Sequence, residues 1–99
     1  MKYCFDLDGT LCTNEWPNYS AAKPFPERIE KVNELYYRGN IIVIDTARGC
    51  NSGTDWRWLT EKQLTEWGVK YHELRVGTKV AADIYIDDKA INEKDFFKK

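Results

Sequence analysis

The run Ile41-Ile42-Val43-Ile44 constrains this chain more than any other segment. Four consecutive β-branched apolar residues present hydrophobic surface to both sides of an extended backbone. That pattern suits a central strand in a parallel sheet covered on both faces. A parallel strand needs a crossover before and after it, and its neighbours must supply those connections.

They do. Lys2 to Phe5 is a short β-forming run that leads directly into Asp6-Leu7-Asp8-Gly9-Thr10. Gly9 allows a backbone conformation closed to other residues, so the strand should end there in a turn. Thr13 to Pro26 contains three Pro and two Asn without periodicity and reads as a long loop. Pro26 opens a helix with Ile29, Val32, Leu35 and Tyr36 on one face, and Gly39 stops it. After the central strand, Thr54 or Asp55 caps a second helix carrying Trp56, Leu59, Leu64 and Trp67, which ends at Gly68. Val69 to Val76 reads as an edge strand, and Gly77-Thr78-Lys79 as a short helical or irregular link. Asp83 to Ile86 reads as a fourth strand closing on Asp87-Asp88, and Glu93 to Lys99 as a terminal helix.

The order βαβαβ(α)βα defines one α/β domain over residues 1–99, with a parallel sheet of about four strands flanked by helices and an expected strand order 3-2-1-4. Composition agrees: 42% hydrophobic, 31% charged and 14% aromatic residues describe a packed chain rather than a disordered one. A net charge of −1 speaks against a strongly basic nucleic-acid surface. The longest apolar run is far too short to span a membrane, and the first residues lack the apolar stretch of a signal peptide. Cys4, Cys12 and Cys50 are an odd number without a CxxC spacing, which suggests reduced thiols and a cytoplasmic setting.

In parallel sheets, ligands bind at the carboxyl ends of the strands. Asp6 and Asp8, Thr46 and Arg48, and Asp87 and Asp88 all fall at such ends. Carboxylates gathered there repel one another by about 4 kcal/mol per close pair at an intermediate dielectric. A hard divalent cation relieves that repulsion, and magnesium suits one or two carboxylates plus a phosphate. Thr46 offers a hydroxyl donor and Lys79 a compact positive charge. Together these groups describe phosphoryl transfer through an aspartyl-phosphate.

At this point the sequence resembles the haloacid dehalogenase (HAD) superfamily of phosphohydrolases. Asp6-Leu7-Asp8-Gly9-Thr10-Leu11 is similar to its first motif and Ile41 to Thr46 to its second. Lys79 is similar to the third, and Ile84 to Asp88 to the fourth. The resemblance implies a catalytic set of Asp6, Asp8, Thr46 and Lys79, with Asp6 as nucleophile and Asp8 as acid and base. It implies Mg2+ held by Asp6, the Asp8 carbonyl and Asp87, with Asp88 binding through water or orienting Lys79. Thr46 and Lys79 would hold phosphoryl oxygens. Arg48 either binds substrate or makes a structural salt bridge. There is no room for an inserted cap domain, so the resemblance is to capless members, with a weaker likeness to small phosphatases of capsular polysaccharide biosynthesis.

The expected activity is therefore magnesium-dependent hydrolysis of a small phosphorylated metabolite, a sugar phosphate first. The alternatives are a phosphatase of nucleic-acid ends or phosphoproteins, and a phosphoacceptor or binding domain without turnover. A homo-oligomer is expected to close the open site. Trp16 and Tyr19 suit either a substrate lid or simple packing. Asp83 reads as the start of a strand rather than a ligand, His72 as inert, and Cys12 as an unactivated thiol.

Overall fold

The computed structural model describes residues 1–49 and 53–98. Three parallel strands form its sheet: β1 (Lys2–Phe5), β2 (Ile41–Thr46) and β3 (Glu73–Val76), in the spatial order β1-β2-β3. The register sets Phe5 beside Ile44 and Ile44 beside Leu74. The β-branched run is thus the centre of the sheet, and Ile42 and Ile44 are fully buried.

Helix α1 (Pro26–Tyr37) joins β1 to β2, and α2 (Arg57–Glu66) joins β2 to β3. Pro26 occupies the first turn of α1, where its missing N–H costs nothing. The Asp55 carboxylate accepts a hydrogen bond from the Arg57 N–H at the start of α2, 2.9 Å away. With the order β1-β2-β3, crossovers of the usual right hand put both helices on one face of the sheet. Accordingly, Ile29 and Val32 of α1 and Leu64 of α2 share one apolar core with Phe5, Ile42, Ile44 and Leu74. On the opposite face Lys2, Cys4, Ile41, Glu73 and Arg75 are exposed, while Val43 at its centre is buried and Asp45 half-buried. The two crossover helices therefore share one face of this sheet.

A short C-terminal helix, α3 (Glu93–Phe96), packs back onto the β1 end of the core. Phe96 meets the Phe5 ring edge-on at 5.6 Å, Lys31 donates to the Phe96 carbonyl at 2.9 Å, and Arg28 pairs with Glu93 at 2.8 Å. The chain between β3 and α3 is thus tied down at both ends.

The expected fourth strand is not seen among the described residues. Residues 80–91 contain no strand and are exposed, with Ile86 at 96%. Apolar alternation marks a strand only when a neighbouring backbone pairs with it. Here Tyr85 turns back to donate to the Val80 carbonyl, and its ring lies 4.8 Å from the Lys79 ammonium. The outer edge of β1 carries no strand among the described residues, so the order reads 3-2-1 without its fourth member.

Candidate functional site at the carboxyl edge of the sheet

The turn after β1 builds the first part of the site. Leu7 accepts backbone hydrogen bonds from Thr10 at 3.0 Å and Leu11 at 2.8 Å, while Gly9, at φ 86°, donates to the Cys12 carbonyl at 2.7 Å. A left-handed residue is required at the tip, which is why glycine stands there. The buried Leu7 and Leu11 anchor the turn and leave Asp6 and Asp8 at the strand end.

Asp6 is partly open to solvent, with 40% of its side chain exposed. Lys79 Nζ lies 3.2 Å from its Oδ1, and the Thr10 hydroxyl donates to its Oδ2 at 3.4 Å. Lys79 reaches it because the Gly77 N–H bonds the Thr46 carbonyl at 3.2 Å, carrying the chain across the end of β2 toward β1. Two sequence segments 73 residues apart therefore meet here.

Asp8 faces inward and meets Arg48. Arg48 Nε donates to Asp8 Oδ2 at 2.9 Å and Nη2 to Oδ1 at 2.8 Å, a two-pronged pair. Thr46, at the end of β2, is buried, and its hydroxyl oxygen accepts from the Arg48 N–H at 3.3 Å. Gly49 follows at φ 81°, and a β-carbon there would collide with the Thr54 carbonyl oxygen. Glycine at 49 is needed by both conformation and space.

Cys12 sits beneath Asp8, donating to its Oδ1 at 3.6 Å. Burial, and then the Asp8 charge, push its thiol up to about 12, so it is protonated and inert at neutral pH. Burial also raises the Cys4 thiol, with Asp45 the next contributor. Cys50 lies outside the described residues. Sequence reasoning misses Asp45: its Oδ1 is buried without a hydrogen-bond partner, on the sheet face shared with Val43. An acidic residue within an otherwise apolar strand is the signal that could have found it.

Asp87 and Asp88 are not brought into this cluster. Both are exposed, and the Lys89 backbone N–H holds the Asp87 carboxyl below its ordinary range. Among the described residues, no three His, Cys, Asp or Glu side chains are arranged to hold a metal ion. The Asp8 carboxylate is committed to Arg48 and that of Asp6 to Lys79 and Thr10. With Asp87 and Asp88 exposed and outside the cluster, the magnesium ligands that the resemblance implies are not gathered here. His72 is remote from the edge and serves the fold instead. Its Nδ1 accepts from the Ile42 N–H at 3.1 Å while its ring stacks on Tyr36.

The loop from Thr13 to Pro26 is pinned rather than free. Thr13 and Lys23 exchange hydrogen bonds at 2.8 and 2.9 Å, and the Phe25 N–H reaches the Leu11 carbonyl at 2.9 Å. Tyr19 is buried with its ring 4.7 Å below the Arg48 guanidinium, whereas Trp16 is exposed. Tyr19 is therefore a packing residue.

No family profile and no curated protein matches this sequence. Among solved structures, the chain is similar to the crystal structure of an MCSG target from Vibrio cholerae, with a TM-score of 0.85 and 30% identity over 99% of this chain and 88% of that one. Fold and site thus define a small α/β protein with an acidic and basic cluster at the carboxyl edge of a parallel sheet. The chain belongs to the same family as that Vibrio protein. No helix among the described residues is long and apolar enough to cross a membrane.

Proposed function

We propose that this chain is a phosphomonoesterase of the HAD type, acting through an aspartyl-phosphate on a small phosphorylated metabolite. A sugar phosphate, such as a capsule or polysaccharide precursor, is the leading substrate. One observation carries the reading: a half-open carboxylate, Asp6, at a strand end with the Lys79 ammonium 3.2 Å away. A nucleophile beside a fixed cation is what attack on a phosphate dianion requires, because the cation offsets the charge of both partners. In this reading Asp6 attacks phosphorus, Thr46 and Lys79 hold phosphoryl oxygens, and Asp8 moves the proton to and from the leaving group and water.

The proposal includes the fourth strand. The outer edge of β1, which pairs with no strand among the described residues, the exposed alternating Ile84 and Ile86, and the tethering of this segment by Lys79 and α3 support docking of residues 83–86 against β1. Docking completes the order 3-2-1-4 and carries Asp87 and Asp88 to the edge where Asp6 lies. Magnesium is proposed as cofactor only for that docked state, where it would neutralise the carboxylates and the phosphate. The exposed apolar side chains of Ile41, Val80 and Tyr85 support a homo-oligomer. Cysteines without a disulfide among the described residues suit the cytoplasm.

The test is hydrolysis of p-nitrophenyl phosphate and a sugar-phosphate panel with and without magnesium, for wild type and Asp6→Asn. Magnesium-dependent release abolished by the substitution is expected. Equal activity of the two proteins contradicts the reading. Preference for a phosphorylated oligonucleotide or phosphoprotein favours the bulky-substrate alternative, and a lasting phosphoprotein without turnover favours a phosphoacceptor.

A further inference from the structure

Arg48 is the largest fully buried side chain in the described structure, with 1% of the residue exposed. A guanidinium carries five N–H donors in a rigid fork, and burying it is tolerable only if they are matched. Each donor has an acceptor. Nε and Nη2 take the two Asp8 oxygens, and Nη2 also points at Cys12 Sγ at 4.0 Å. Nη1 takes the Thr60 hydroxyl at 3.1 Å and Gln63 Oε1 at 2.6 Å. Nothing is left to bind a substrate phosphate.

The acceptors are themselves fixed. The Thr60 hydroxyl donates to the Trp56 carbonyl at 2.8 Å, so its oxygen must accept from Arg48. Gln63 Nε2 donates to the Tyr19 carbonyl at 2.8 Å, which turns the amide oxygen toward Arg48. The Tyr19 ring lies against the guanidinium, and Trp56 meets Tyr19 edge-on at 5.1 Å. One cation thus joins the turn after β1, the loop from Thr13 to Pro26, and α2.

We propose that Arg48 is a positioning residue that fixes the rotamer of the Asp8 carboxylate, with Thr60, Gln63 and Tyr19 as its supports. It does not bind substrate. This role rests on the phosphatase reading above, in which Asp8 handles the proton. Lysine at 48 keeps the charge but cannot make the two-pronged contact, so Asp8 loses its orientation.

The experiment compares wild type, Arg48→Lys and Gln63→Leu on p-nitrophenyl phosphate, with circular dichroism melts to establish folding. The expected result for Arg48→Lys is a kcat lower by about 100-fold with KM within threefold, since a displaced catalytic group costs rate rather than binding. Gln63→Leu, which removes one support, is expected to fall between the two. A raised KM with unchanged kcat makes Arg48 a substrate ligand, and unchanged kcat and KM in a folded variant makes it purely structural; either overturns the proposal. Failure of Asp6→Asn to lose activity, or no hydrolysis by wild type, overturns the phosphatase reading itself, and this role with it. If Arg48→Lys does not fold, nitrogen-15 NMR of the wild type decides the orientation. The Arg48 Nε–H signal is expected to exchange slowly and to move in Asp8→Asn, and exchange at the solvent rate contradicts the pairing.

Discussion

Lys79 Nζ and Asp6 Oδ1 lie 3.2 Å apart, although Lys79 follows β3, Asp6 follows β1, and the whole of β2 lies between those strands in the sheet. The link through Gly77 and Thr46 makes this crossing possible. Lys79→Met should therefore remove the cation without disturbing the core. Loss of a preorganised electrostatic partner costs on the order of 100- to 1,000-fold in kcat/KM. A partly exposed ion pair contributes only about 0–1 kcal/mol to stability. Kinetics together with a melt check this: a near-normal Tm with nearly lost turnover is expected.

Ile44→Ala tests the centre of the sheet. Ile44 is fully buried, between Phe5 and Leu74 in register. Truncating such a residue costs about 2–5 kcal/mol through lost burial and a residual cavity. Urea unfolding followed by circular dichroism should show that loss with the slope unchanged. A change under about 1 kcal/mol would place Ile44 outside the core.

Much of this frame is legible in the sequence. The run Ile42 to Ile44 and the periodicity of Ile29, Val32 and Leu35 require burial whatever the neighbours are, so β2 and α1 follow from local pattern. The segment from Asp83 to Ile86 has a strand's pattern, but a strand exists only through its partner, and here local contacts with Val80 and Lys79 compete. Of the candidate site, Asp6, Thr46 and Lys79 lie where motif order puts them, at the ends of the strands or just beyond. The destination of Arg48 is not legible, because a charge at a strand end turns inward or outward according to what awaits it. The signal lies in α2: Thr60 and Gln63 are polar residues within the apolar stripe of Trp56, Leu59, Leu64 and Trp67, and a buried cation satisfies them.

Magnesium should couple to residues 83–86. If the segment docks on β1 to gather the acidic residues, millimolar magnesium raises Tm and slows amide exchange within that segment, because ligand binding to the folded form stabilises it. Exchange followed by mass spectrometry reads this directly. An unchanged Tm and unprotected amides would argue against docking.

Alkaline stability should depend on Cys12. Its thiol is raised from 9.0 to about 12 in the folded protein, so the unfolded chain releases this proton first as pH rises. The associated stability is fully present below about pH 9 and is lost progressively toward about pH 12. Cys12→Ala should lower Tm at neutral pH through its cavity, yet show a shallower decline of Tm across that alkaline range than wild type. Parallel declines would mean that the thiol is not buried as described.

The most direct measurement traps the acyl phosphate. Borohydride quenching during turnover of p-nitrophenyl phosphate reduces an aspartyl-phosphate to homoserine, and peptide mass spectrometry locates the residue. Homoserine at position 6, absent in Asp6→Asn, is the expected result. Unaltered Asp6 while phosphate is being released, or homoserine at another position, would contradict the assignment of Asp6 as nucleophile.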